Sequence, residues 1–134
     1  MELQVGVKVL LKNPEGKYLL VLRNPQKYTE VPSNWDLVGG RITPGAKLLD
    51  NLKREVKEEV NLDLADEPQL VGAQDILRIP GRHIVRLSFT ANIQGEPKLS
   101  EEHIQYGWFT MAEIQTMDLD IYFRDLLDKG LIHG

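Results

Sequence analysis

From Gly39 to Leu62 the chain reads GGRITPGAKLLDNLKREVKEEVNL, a glycine pair leading into at least fifteen residues without Gly or Pro. Leu48, Leu49, Leu52, Val56 and Val60 recur at helical spacing, which predicts an amphipathic helix beginning after Pro44 and Gly45. At about 100° per residue these apolar positions fill an arc of about 120°, and Glu55, Glu58 and Glu59 fill an arc of about 100° that overlaps its edge. The three acids therefore flank the buried face. Charge runs are usually solvated, but Glu59 projects between the directions of Leu48 and Leu52. The acids also repel one another at i, i+3 and i+4, at a cost of roughly a few tenths of a kcal/mol per pair. A hard cation such as Mg²⁺ or Mn²⁺ removes that repulsion, because it takes one or two carboxylates together with waters and substrate phosphates.

Gly40 and the run Arg54-Glu55-Val56-Lys57-Glu58-Glu59-Val60-Asn61-Leu62, at the matching distance, resemble the Nudix box of the Nudix hydrolases, GX5EX7REUXEEXGU, with U a bulky apolar residue. The resemblance implies, position by position, that Glu55, Glu58 and Glu59, with Gly40, are metal ligands and that Arg54 orients the acids by ion pairing. Arg54 also has Asp50 and Glu58 at i−4 and i+4, so an ordinary helix salt bridge is compatible with the same residue. Two positions depart from the box. Asn61 stands where the box has Gly, a mild change because Asn is the next best residue for a left-handed helix end. Ala46 replaces the first Glu and removes a carboxylate near the helix start, on which metal number, metal affinity and catalytic competence depend. Asp50 lies nearer Arg54 than the acid cluster and is no replacement.

Upstream, Gln4 to Leu11 alternates Val5, Val7, Val9 and Leu11 with Gln4, Gly6, Lys8 and Leu10, which predicts a strand with one well-buried face. Asn13-Pro14-Glu15-Gly16 is a turn, and Lys17 to Arg23 returns as the second strand of a hairpin. Arg23 is either a surface strand end or a phosphate contact, since the family often has a basic residue here. Trp35 to Ile42 is a short strand into the box that resembles the family's W-x-x-P-G-G approach, with Val38 in place of Pro. Gly39 and Gly40 let the backbone turn sharply beside a ligand, and with Arg41 they are candidate substrate contacts.

Downstream, Asp63 to Pro68 is an acidic loop, and Gln69 to Ile79 and His83 to Ile93 are strands joined at Pro80-Gly81-Arg82. Arg78, Arg82 and Arg86 make a basic spot around this hairpin. They are either solvated or, if the hairpin flanks the acidic helix, suited to neutralise a diphosphate; Arg82 and Arg86 are the candidates. Glu101 to Phe109 resembles the E-x-x-E-x-x-W-F region after the box, where a loop acid approaches the metal; Glu101 or Glu102, the latter preferred, would be an extra ligand or general base. Trp108 and Phe109 belong to a core strand. Thr110 and Glu113 form a capping box for a short helix, Met111 to Thr116. Asp118 or Asp120 starts a last helix presenting Ile121, Leu126 and Leu127 and ending at Gly130.

This order predicts one α/β domain over 1–134, a mixed sheet between helices, which matches the Nudix α/β/α sandwich. A net charge of −4 argues against a nucleic-acid polymer as partner, while a small nucleotide needs only a local basic pocket. Without Cys there is no disulfide or thiolate zinc site. No signal peptide or membrane span is evident, so a cytoplasmic location is expected. Oligomeric state, a homodimer included, is left open. The resemblance implies Mg²⁺- or Mn²⁺-dependent cleavage of the pyrophosphate bond in a nucleoside diphosphate linked to another group. Nucleotide sugars, ADP-ribose, dinucleoside polyphosphates and oxidised nucleoside triphosphates all belong to that class. The alternative that Ala46 favours is a Nudix-fold nucleotide-binding or regulatory module that has lost hydrolysis.

Overall fold

The computed structural model describes residues 1–26, 34–101 and 103–132. Its centre is a seven-stranded mixed sheet built on β1 (Glu2–Lys12). Along one edge β1 pairs in parallel with β6 (Arg82–Asn92) over its full length, and β6 pairs antiparallel with β5 (Gln69–Ile76). Along the other edge β1 divides its partners. Gly6 to Val9 pair antiparallel with β4 (Val38–Arg41), whereas Leu11 and Lys12 pair with β2 (Tyr18–Arg23). Strand β2 continues the sheet through β3 (Trp35–Asp36) and β7 (His103–Phe109).

One core lies under helix α1 (Leu48–Val60), where Val7, Val9 and Leu11 meet Leu52, Val56 and Val60. The other lies under α3 (Ile121–Asp128), where Leu10, Leu20 and Leu37 meet Phe123, Leu126 and Leu127. The sheet is thus sandwiched between helices, the expected α/β/α arrangement. Because β1 is sealed from both sides, its alternation does not separate a wet face from a dry one. Gly6 through Leu11 are all buried, Lys8 included. A strand with a parallel neighbour and helices over both faces has no solvent side, which corrects the single-faced expectation.

The expected strand Trp35 to Ile42 is two short strands broken at Leu37, and β5 ends at Ile76. Thr110 caps α2 (Met111–Ile114) through the reciprocal capping box with Glu113. Asp120, rather than Asp118, caps α3 by accepting from the Tyr122 and Phe123 amides. Phe123, not Ile121, is the residue α3 presents with Leu126 and Leu127, since Ile121 is 55% exposed. Among the described residues no helix is long and apolar enough to cross a membrane.

Candidate active site

Beside the stretch of β1 that pairs with β4, a cleft of about 480 Å³ opens between α1, the Gly39–Gly40 turn and the β5–β6 end of the sheet. Among the described residues its acidic lining is Glu55 and Glu59; its basic lining is Lys8, Arg23, Arg41, Arg54, Arg78, Arg82 and Arg86. The glycine pair makes the acid side possible. Gly39 has φ 145°, and a Cβ there would lie 2.0 Å from the Val7 carbonyl oxygen, so only glycine fits. At Gly40 a Cβ would lie 2.6 Å from Glu55 Oε2: the missing side chain is the space that the carboxylate occupies.

The three box acids have different surroundings. Glu59 is buried and its Oε2 accepts the Gly39 N–H at 2.7 Å. Glu55 is half-buried and lies 3.1 Å from Arg54 Nη2. Glu58 is exposed, does not line the cleft, and takes both bonds of Arg54 Nη1, at 3.0 and 2.9 Å. Among the described residues no group of three or more His, Asp or Glu side chains stands arranged for a metal ion. The physical reason is that Arg54, one turn back, draws Glu58 along the helix while the Gly39 amide draws Glu59 inward. What Glu55 and Glu59 offer is nonetheless the hard, anionic oxygen set that a Mg²⁺- or Mn²⁺-sized ion takes. That set fits such an ion, and the absence of a side chain at Gly40 is what admits the Glu55 carboxylate to it.

Asn51 fastens the loop into α1. Its Oδ1 accepts from the Thr43 amide and from Arg54 Nη2, and its Nδ2 donates to the Arg41 carbonyl. Ala46 is exposed in the turn before the helix, its amide bonded to the Thr43 carbonyl. At the N-terminus of α1 the N-cap residue, Lys47, makes no side-chain capping hydrogen bond.

Beneath the cleft runs a buried ion network. Arg86 is neither solvated nor presented as an open fork: it is 3% exposed, with Nη2 3.0 Å from Asp36 Oδ1 and Nη1 2.8 Å from Asp120 Oδ2. Its Nε has no hydrogen-bond partner among the described residues. Asp36 Oδ2 also faces Arg23 at 3.4 Å and Lys8 at 3.6 Å, and Arg78 lies 3.7 Å from Asp120. Backbone bonds from Trp35 N to Asp118 O and from Asp120 N to Trp35 O bring the two carboxylates together on Arg86. Burial raises the Asp36 pKa, but the Arg86, Lys8 and Arg23 charges and the Leu37 amide bring it well below the ordinary carboxylate range. Burial lowers the Lys8 pKa, with Asp36 opposing.

His103 lines the cleft on the Glu59 side, its Nε2 3.8 Å from Glu59 Oε1 and its Nδ1 without a hydrogen-bond partner among the described residues. Burial, with the Lys8 and Arg23 charges, lowers its pKa to about 4, so the ring is neutral near pH 7.

The structure therefore brings Glu55, Glu59, Arg54, Gly39, Gly40, Arg41, Arg23, Arg82 and Arg86 to one cleft and leaves Glu58 at its outer rim. Glu102 lies outside the described residues, while Glu101 is exposed in the loop before β7. Sequence patterns did not single out Lys8, Asp36, Asn51 or His103. The available signal was a charged residue inside an apolar run, as in Val-Lys-Val-Leu around Lys8 and Trp-Asp-Leu around Asp36.

A NUDIX domain family model matches residues 2–129. The nucleoside triphosphatase NudI of Escherichia coli is 29% identical over 134 residues, covering 92% of this chain and 94% of its own. A putative 8-oxo-dGTP diphosphatase 2 of Mycobacterium tuberculosis is 29% identical over 89 residues, covering 66% of this chain and 62% of its own. Among solved structures, the MutT protein of Methanosarcina mazei superposes with a TM-score of 0.80 at 28% identity, over 95% of this chain and 91% of that one. With the box on α1, the glycine turn that admits its acids, and a match over nearly the whole sequence, the chain belongs to the NUDIX family and is one of its pyrophosphohydrolases.

Proposed function

We propose that the cleft hydrolyses a phosphoanhydride bond of a nucleoside triphosphate or a related nucleoside diphosphate derivative, with Mg²⁺ or Mn²⁺ as cofactor. The observation that carries this reading is the mixed character of the cleft, where the carboxylates of Glu55 and Glu59 stand among several guanidinium groups. A polyphosphate needs both, cations to neutralise its oxygens and acids to hold the metal that it shares. Glu55 and Glu59, with the Gly40 backbone, would hold the cation, and Glu58, now bound by Arg54, is the third candidate ligand. The cation would supply charge neutralisation at the phosphoryl oxygens and a lowered pKa for water.

The protein's own work is positioning. Arg41 and Arg82 stand on the cleft wall to bind phosphate oxygens. Arg23 and Arg86 are held from behind by Asp36, which fixes where their charge sits. The cleft-lining groups Ile76, Ile79 and Ile84 give an apolar wall for the nucleoside end. Glu101 or Glu102 would take the proton from water. The triphosphate preference draws on the names of the two relatives and on the number of arginines.

The test is product release from nucleoside triphosphates, an oxidised triphosphate, ADP-ribose and nucleotide sugars, each with Mg²⁺ and with Mn²⁺. Metal-dependent turnover of a triphosphate is expected, with Glu58→Gln and Glu59→Gln each abolishing it. Full turnover in both variants would remove the assignment. Arg41→Ala and Arg82→Ala are expected to raise KM with little change in kcat.

A further inference from the structure

We propose that Lys8 is a positioning residue for the metal side of the cleft: its buried ammonium fixes Gly39, and Gly39 in turn fixes the Glu59 carboxylate. The inference rests on the metal-dependent reading above. Lys8 lies in the middle of β1 and is 7% exposed, a burial that lysine seldom tolerates unless paired. An ammonium has three donors. Here Nζ faces the Leu37 carbonyl at 3.3 Å, the Gly39 carbonyl at 3.4 Å and Asp36 Oδ2 at 3.6 Å. Lys8 lines the cleft, yet its ammonium is turned to two backbone carbonyls and to the Asp36 carboxylate, so its action on substrate is indirect.

Gly39 is the residue that needs such a hold. It has a φ of 145°, where a Cβ would meet the Val7 carbonyl, so the position requires glycine, the residue whose backbone is least restrained by itself. Lys8 grips its carbonyl, and its N–H donates to Glu59 Oε2 at 2.7 Å. The backbone of one residue thus links a buried cation to a candidate ligand, as second-layer hydrogen bonds do around metal sites. Asp36 ties the same ammonium to Arg86 and Arg23, so the acid side and the basic floor share one anchor.

The test measures Mn²⁺ dissociation constants by the EPR signal of the free ion, with kcat, KM and Tm, for wild type and Lys8→Met. Folded Lys8→Met is expected to bind Mn²⁺ about tenfold more weakly and to lose kcat, with KM within about twofold. A role in packing alone would lower Tm and leave Mn²⁺ affinity at the wild-type value, and that result overturns the inference while the metal-dependent reading stands. Wild-type protein that binds no Mn²⁺ overturns both. If Lys8→Met does not fold, the wild-type protein is read by NMR during Mg²⁺ titration. The Gly39 amide and the Lys8 Nζ signal are expected to shift together; a Lys8 signal that stays fixed at saturating Mg²⁺ overturns the inference.

Discussion

The rim of the cleft on α1 and the floor beneath it are both built from charged side chains, but they differ in what water can do for them. On the rim, Arg54 and Glu58 are exposed, and their i, i+4 pairing is of the kind that contributes a few tenths of a kcal/mol, about 0.3–0.5. On the floor, Arg86, Asp36 and Asp120 are each at most 3% exposed, and removing one partner leaves a buried charge uncompensated. The rim can exchange partners cheaply, which suits groups that must meet a cation and a substrate. The floor cannot, which suits groups that must hold the geometry of those that do.

Asp36→Asn should break the floor most severely, destabilising the protein by about 3–5 kcal/mol in urea unfolding, because Arg86 and Lys8 stay buried without their shared anion. The pH dependence has a fixed sign. Asp36 has a folded pKa depressed below the ordinary 3.8, so its stabilisation is fully present above that value and is lost as pH falls below it. Wild-type stability should therefore drop below about pH 4, and Asp36→Asn should flatten that drop.

Next in size is Gly40→Ala. The atoms nearest its Cβ belong to the far end of the flexible Glu55 side chain, so the fold should survive while the carboxylate is displaced. A kcat loss of about 100-fold with nearly unchanged Tm is expected, the scale of a 1 Å misplacement at a reacting centre. Gly39→Ala is the contrast, since there the Cβ meets backbone and the protein itself should be destabilised. Two smaller effects lie on the rim. Ala46→Glu adds an acid just before an uncapped helix N-terminus and should stabilise by about 0.3–1 kcal/mol, read as a rise in Tm. If the missing acid limits catalysis, turnover rises with it. Glu58→Gln should cost no more than about 0.5 kcal/mol in unfolding measurements even as metal-dependent turnover disappears.

The helix and its acids were legible because helical periodicity is local: Leu52, Val56 and Val60 share a face whatever the rest of the chain does, and Glu59 follows them inward. The hairpins and the Thr110 capping box were legible for the same reason, since turn and cap chemistry act within a few residues. The second buried face of β1 was not. Whether Lys8 meets water depends on β6 lying parallel beside it and on Asp36 and the Leu37 and Gly39 carbonyls enclosing its ammonium, all contacts distant along the chain.

By itself, then, the sequence determined the glycine turn, the helix and the row of carboxylates, because each is fixed by residues within a turn or two of one another. Tertiary structure decided which acids face the cleft. It turned Glu59 to Gly39, and it brought Asp36 and Asp120 to the two sides of one arginine. These are long-range choices among alternative partners, set by burial and electrostatics, and no local spacing rule encodes them.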